Sequence, residues 1–84
     1  MMTTIDWQQS LRRRFREDAS RATSYLEAIL EDAAEDGYTG AIAAAVEDVI
    51  AARGKEEACA IVEGLEVGRS EHRVMMLEVL GVVA

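Results

Sequence analysis

The sequence contains no proline and only one cysteine, Cys59, in its 84 residues. Without proline, no helix has to be interrupted at a ring-constrained position. A single thiol excludes an intramolecular disulfide framework and fits a reducing compartment. Aromatic side chains are also scarce, and occur only as Trp7, Phe15, Tyr25 and Tyr38. We therefore expect a helical protein whose core is built from aliphatic side chains.

Long apolar runs are absent as well. No run approaches the ~20 residues that a membrane-spanning helix needs. The opening MMTTIDWQQSLRRR lacks the charged-then-apolar pattern of a secretory signal. Hydrophobic residues make up 50% of the chain and charged residues 30%, which is a globular composition. These features predict a cytoplasmic protein without membrane association, folded as one domain over residues 1–84.

Apolar residues recur with helical spacing along the whole chain, which predicts a compact all-α bundle of about five short helices. Thr3 and Asp6 have the spacing of a capping box that opens the first helix. Trp7, Leu11 and Phe15 follow at four-residue intervals and are predicted to share its buried face.

The second helix is predicted to begin after Asp18 or Ser20 and to end at Gly37. Thr39 is the predicted N-cap of the third helix, which ends at Gly54. The positions predicted to be buried in these two helices are Ala22, Tyr25, Leu26, Ile29, Leu30, Ala33, Ile42, Val46, Val49 and Ile50.

The fourth helix is predicted to follow Gly54, and Ser70 is the predicted N-cap of the fifth, which ends at Gly81. The positions predicted to be buried in these helices are Ala58, Ile61, Val62, Leu65, Val74, Leu77 and Leu80.

Residues 25–80 contain the segments YLEAILED and IAAAVEDVIAARG, then Ala58, the pair Gly64-Leu65 and the pair Arg69-Ser70. In this order they resemble the addiction-module antidote (antitoxin) family of small bacterial helix-turn-helix proteins. The resemblance implies a helix-turn-helix-like C-terminal part, neutralisation of a partner toxin and repression of the protein's own promoter. This chain lacks the Asn-Pro pair that usually follows the recognition helix in that family.

Two sets of residues are candidates for contacting nucleic acid or a partner. The resemblance places a recognition helix at Ser70, and basic side chains also surround Phe15. The alternative is that these arginines are solvated or pair with carboxylates such as Glu66 and Glu78. The candidates are Arg12, Arg13, Arg14, Arg16, Arg69, Ser70, His72 and Arg73.

The charge balance disfavours nucleic acid. Residues 27–84 hold 13 acidic and 4 basic side chains, a net charge of −9. Such a surface repels phosphates and favours a protein partner with a basic surface, because clustered carboxylates can imitate a nucleic-acid backbone. An ordinary solvated helix face is the alternative. The acidic candidates for partner binding are Glu31, Asp32, Glu35, Asp36, Glu47 and Asp48.

Catalytic, metal and cofactor motifs are not found in the sequence. Cys59 and His72 are the only residues of their types, and no ligand spacing surrounds them. We therefore expect no enzyme activity, no metal and no cofactor. Met75, Met76 and Val79 widen the apolar arc of the fifth helix, which predicts a homodimer surface, with burial in the core as the alternative.

Three functions remain open at this point. The first is a non-enzymatic acidic binding protein that resembles an antitoxin and acts on a toxin or another nucleic-acid-handling partner. The second is an inhibitor of the anti-CRISPR kind, which blocks a basic groove of a bacterial defence complex. The third is a DNA-binding transcriptional regulator.

Overall fold

The computed structural model describes residues 4–81, which form five α-helices and no strand within that range. The helices are α1 (Thr4–Glu17), α2 (Ala19–Asp36), α3 (Gly40–Arg53), α4 (Lys55–Glu63) and α5 (Ser70–Leu80). The prediction of a small all-α bundle is confirmed. Within the same range, no helix combines the length and the apolar character that crossing a membrane requires.

Asp18 is the single residue between α1 and α2. Its extended backbone (φ −147°, ψ 108°) stops α1, and its carboxylate accepts hydrogen bonds from the Ser20 hydroxyl at 2.7 Å and the Ser20 amide at 3.0 Å. These two hydrogen bonds hold the pKa of Asp18 below its ordinary value. Asp18 is thus the N-cap of α2, as predicted. The predicted capping box at Thr3 lies outside the described residues.

The predicted end of α2 and the predicted limits of α3 also occur, with one difference in mechanism. Gly37 adopts a left-handed conformation (φ 77°) that closes α2, and its amide donates to the Ala33 carbonyl at 2.8 Å. Gly54 (φ 88°) separates α3 from α4. Thr39 precedes α3 as predicted, but its side chain makes no capping hydrogen bond. The turn before α3 is held by Asp36, whose carboxylate accepts a hydrogen bond from the Tyr38 amide at 2.8 Å.

The third helix is the centre of the bundle. Helices α2 and α3 each pack against all four other helices, and α3 makes the more extensive contacts. The predicted stripe across α3 and α4 is buried, except that Ile50 and Ile61 are only half-buried. The fully buried apolar residues are Phe15, Ala22, Leu26, Leu30, Ala33, Ile42, Ala45, Val46, Val49, Ala58, Val62, Leu65, Met76 and Leu80.

Two orientations differ from the sequence-based expectation. Trp7 was expected in the core beside Phe15 but is 52% exposed, while Phe15 is buried. In α5 the buried face is rotated relative to the expected one: Val74 is 40% exposed, whereas His72 and Met76 are buried. The cause in α5 is that apolar side chains occur on nearly every side of the helix, so their spacing does not single out one face.

The connection between α4 and α5 covers residues 64–69 and is held against α2. Gly68 adopts a left-handed conformation (φ 74°), and a Cβ added there would lie 2.9 Å from the Leu30 Cβ. Arg69, with extended backbone, is the N-cap of α5, so the prediction of Ser70 is wrong by one residue. A helix-turn-helix motif has a turn of about 3–4 residues, and this connection is longer. The helix-turn-helix character of this part stays a prediction.

Candidate protein-binding surface

The C-terminal half of α2 presents a row of carboxylates to solvent. The side chains of Glu31, Asp32, Glu35 and Asp36 are all exposed, and the buried residues Leu30 and Ala33 occupy the opposite side of the helix. Among residues 4–81, none of these four carboxylates takes part in an ion pair. We call these four residues the acidic face.

The acidic face works against the stability of its own helix. Glu31 and Glu35 stand four residues apart, a spacing at which like charges repel by about 0.2–0.5 kcal/mol. Glu35 and Asp36 lie in the last turn, where the helix dipole is negative, and that turn contains no basic residue. Folding explains Asp36, whose carboxylate accepts a hydrogen bond from the Tyr38 amide. No described contact supports Glu31, Asp32 or Glu35 in the same way, whereas a cationic partner would stabilise all three carboxylates.

Helix α3 contributes one further exposed carboxylate, not two. Glu47 is exposed. Asp48 was predicted to contact a partner, but its side chain is only 8% exposed and pairs with Arg12. Asp48 is therefore removed from the candidate surface. The reason is that Asp48 lies on the side of α3 that Arg12 of α1 reaches, whereas Glu47 lies on the exposed side of α3 together with Ala43 and Ala44.

The Arg12–Asp48 pair joins α1 to α3. The Nε and Nη2 atoms of Arg12 each lie 3.0 Å from Oδ1 of Asp48. Tyr25 of α2 lies near this pair, and its ring centroid is 5.2 Å from that of Phe15. Burial and, to a smaller extent, the charge of Asp48 raise the pKa of the Tyr25 phenol. Arg12 therefore stabilises the fold. It is no longer a candidate for binding a partner.

Arg53 has a structural role that the sequence analysis missed. Its Nη1 donates to the carbonyl oxygens of Phe15 and Arg16, each at 3.0 Å, and its Nε forms an ion pair with Glu57. The two carbonyls belong to the last turn of α1, whose C=O groups have no partner inside the helix. Arg53 thus caps α1 from the end of α3, a contact that no local pattern in the sequence reveals.

The predicted recognition helix does not present its four candidate residues together. His72 is buried, with its Nδ1 unpartnered among the described atoms, and cannot reach a base edge. Arg73 is half-buried and donates to the Leu65 carbonyl at 3.4 Å. Arg69 and Ser70 are exposed, and Arg69 pairs with Glu71 at 3.5 Å rather than with Glu66. The expectation for His72 is therefore wrong.

The other basic candidates, Arg13, Arg14 and Arg16, are exposed on α1. Within the described part of the chain they take part in no ion pair, so partner binding by these three stays a prediction.

The predicted dimer surface is also corrected. Met76 is fully buried between α5 and the core, while Met75 and Val79 are half-buried against it. The apolar side chain that α5 exposes most is Val74. Cys59 is a half-buried free thiol, and residues 4–81 contain no group of three or more side chains able to hold a metal ion.

Comparison of the chain with protein-family models, with curated proteins and with solved structures gives no match. The resemblance to the antitoxin family therefore stays a prediction.

Proposed function

We propose that this protein is a non-enzymatic binding module of the antitoxin type that inhibits a nucleic-acid-handling partner through the acidic face. The observation that carries this proposal is the exposure of Glu31, Asp32, Glu35 and Asp36 on one helix without an ion-pair partner among residues 4–81. Exposed Glu47 on the neighbouring helix adds to the same negative potential.

The mechanism follows from electrostatics. A groove that binds phosphates is lined by Lys and Arg, and its potential attracts any dense row of negative charge. The helix already fixes the backbone that holds these carboxylates, so binding orders only their side chains, whereas a flexible polyanion must also order its backbone. The partner is then inhibited because its nucleic acid can no longer enter the occupied groove.

Two observations make direct DNA reading the weaker function. In the predicted recognition helix, α5, the side chain of His72 is buried in the core, and Arg73 donates a hydrogen bond to a backbone carbonyl. The chain also carries a net charge of −7, which opposes approach to a duplex. An inhibitor of a bacterial defence complex would use the same acidic face, and the genes that flank this one would distinguish it from an antitoxin.

The test uses the products of the flanking genes as partners. Each is co-expressed with this protein, and the dissociation constant of any complex is measured by calorimetry. The variant Glu31→Lys/Glu35→Lys should bind at least ~10-fold more weakly, a loss of about 1.4 kcal/mol. Asp36 is left unchanged because it bonds the Tyr38 amide.

The matched control is Arg13→Glu/Arg16→Glu, which reverses two exposed charges on α1. Arg12 is not suitable, because its reversal would place a second negative charge against Asp48. The control should change affinity by less than ~3-fold. If the control abolished binding and the α2 variant bound normally, the acidic face would not be the binding surface. If none of the flanking-gene products formed a complex with this protein, the antitoxin assignment would be wrong.

A further inference from the structure

A groove of about 380 Å³ lies between α1 and α2. Its apolar lining comes from buried Phe15 and from half-buried Leu11 and Tyr25. Exposed Arg14 and Arg21 stand beside these side chains, and the hydroxyls of two serines, Ser20 and Ser24, complete the lining. The groove therefore combines an apolar lining with two cations.

A smaller depression extends this groove along α1. It is lined by Trp7, Ser10, Leu11 and Arg14, and the last two residues belong to both depressions. Trp7 is 52% exposed, although it is the largest apolar side chain of the protein. Tryptophan and arginine are the side chains that most often dominate the energy of protein interfaces. We call the combined surface the α1–α2 groove.

Of the two cations of the α1–α2 groove, only Arg21 approaches a carboxylate among the described side chains, and that ion pair is long and exposed. Arg14 takes part in no ion pair with the side chains that the structure describes. Arg21 approaches Asp18 only at 3.8 Å, and that carboxylate is already hydrogen-bonded to Ser20. A ligand that suits the groove must therefore bring apolar atoms together with negative charge.

Such a surface exists on the outer side of α5. Glu71, Val74 and Glu78 follow one another at spacings of three and four residues, so they form a single stripe along the helix. All three are exposed, and half-buried Met75 and Leu77 flank the stripe. The two carboxylates are seven residues apart, about 10.5 Å along the helix axis. We call this stripe the α5 outer face.

The two surfaces belong to different parts of the bundle. Within the described residues α5 packs against α2, α3 and α4, and it makes no contact with α1. The α5 outer face points away from these neighbours, since His72, Met76 and Leu80 occupy the opposite side of the helix. One molecule therefore exposes an apolar surface with cations and, elsewhere, an apolar surface with carboxylates.

We propose that the α1–α2 groove of one copy binds the α5 outer face of a second copy. Val74 and Leu77 would cover the apolar lining and Trp7. Glu78 and Glu71 would pair with Arg14 and Arg21, and Glu71 would exchange its exposed 3.5 Å contact with Arg69 for this pair. Because the two surfaces differ, the contact is head-to-tail and generates short chains or a closed ring rather than a two-fold dimer. Glu71 lines one depression together with Glu35 of the acidic face, so the two proposals use neighbouring surfaces and are distinguished by their variants: Glu31→Lys/Glu35→Lys should weaken partner binding and leave self-association intact.

The association is weak. A helix face of 11 residues set into a shallow groove covers less than the ~1,200–2,000 Å² of a stable protein interface. We expect a dissociation constant on the order of 100 µM, so the contact forms at high local concentration. Sedimentation velocity from about 10 µM to about 1 mM spans that range. The average mass should increase with concentration.

Trp7 provides a second readout because it is the only tryptophan of the chain. Its fluorescence emission should shift to shorter wavelength as association covers the ring. The groove variant Arg14→Glu/Arg21→Glu and the face variant Glu71→Arg/Glu78→Arg should each remain monomeric, with an unchanged circular dichroism spectrum. Arg13→Glu/Arg16→Glu is the matched control, since these arginines do not line the groove, and it should associate normally.

Mixing the two monomeric variants is the decisive step. The groove variant retains a native α5 outer face and the face variant retains a native groove, so an equimolar mixture should form a complex although neither variant associates alone. A native chain that stays monomeric over the whole concentration range would overturn the proposal. The proposal would also be overturned if the mixture formed no complex. It would be overturned as well if Glu31→Lys/Glu35→Lys lost association while the groove variant still associated.

Discussion

The ion pair between Arg12 and Asp48 leads to an asymmetric prediction about stability. The Asp48 side chain is 8% exposed and the Arg12 side chain 37% exposed. Replacing Arg12 by Ala leaves a carboxylate in the core without an ion-pair partner among residues 4–81. Replacing Asp48 by Asn leaves a guanidinium that water reaches. We therefore expect substitution of the more exposed residue to be the more damaging.

The magnitude follows from the burial of each partner. Removing one partner of a fully buried pair costs about 3–5 kcal/mol, whereas an exposed pair contributes only about 0–1 kcal/mol. Since solvent reaches Arg12, we expect intermediate losses, ~2–3 kcal/mol for Arg12→Ala and ~1 kcal/mol for Asp48→Asn. The first loss is a large share of the roughly 5–10 kcal/mol available to a domain of this size.

Urea unfolding followed by the helical circular dichroism signal measures both losses. The double variant Arg12→Ala/Asp48→Asn should be more stable than Arg12→Ala alone, because the unpaired buried charge is gone. If both single variants lost less than ~0.5 kcal/mol, the pair would be an ordinary surface contact. A double variant no more stable than Arg12→Ala would contradict the argument from the buried charge.

Three further predictions concern α5, Tyr25 and DNA. Met76→Ala should cost ~2–5 kcal/mol of unfolding free energy and Val74→Ala less than ~0.5 kcal/mol, and the reverse order would show that α5 is rotated. The raised pKa of Tyr25 implies that its contribution to stability is complete below its ordinary value of 10.0 and is lost as pH rises through the higher folded value. In a spectrophotometric titration Asp48→Asn should lower this pKa only in part, because burial is the larger cause. A gel shift at physiological salt with DNA from the protein's own locus should show no specific complex, and a sequence-selective shift would restore the regulator hypothesis.

The helices and their limits follow from local chemistry, which is why the sequence predicts them well. Gly37 and Gly54 end α2 and α3 through positive φ angles that other residues rarely adopt, and Asp18 caps α2 through its own carboxylate. Each of these helix ends depends only on residues that are close together in the sequence. The apolar spacing of α2 likewise identifies its buried face, since polar residues occupy the rest of that helix.

The candidate surfaces are less predictable, because they depend on contacts between distant residues. Asp48 resembles the other acidic residues in sequence, and only the approach of α1 shows that Arg12 removes it from the surface. Trp7 fits the apolar spacing of α1, yet no helix covers it. Arg53 caps a helix that lies 37 positions earlier in the chain. Periodicity describes one helix at a time and contains no information about these contacts.

Displacement of nucleic acid from the partner shows whether the acidic face occupies the basic groove. A fluorescently labelled oligonucleotide is bound to a flanking-gene product that associates with this protein, and its anisotropy is followed during titration. If the acidic face of α2 occupies the basic groove, the native protein should release the oligonucleotide stoichiometrically, and Glu31→Lys/Glu35→Lys should release it only at much higher concentration. A stable ternary complex of partner, oligonucleotide and native protein would contradict the account.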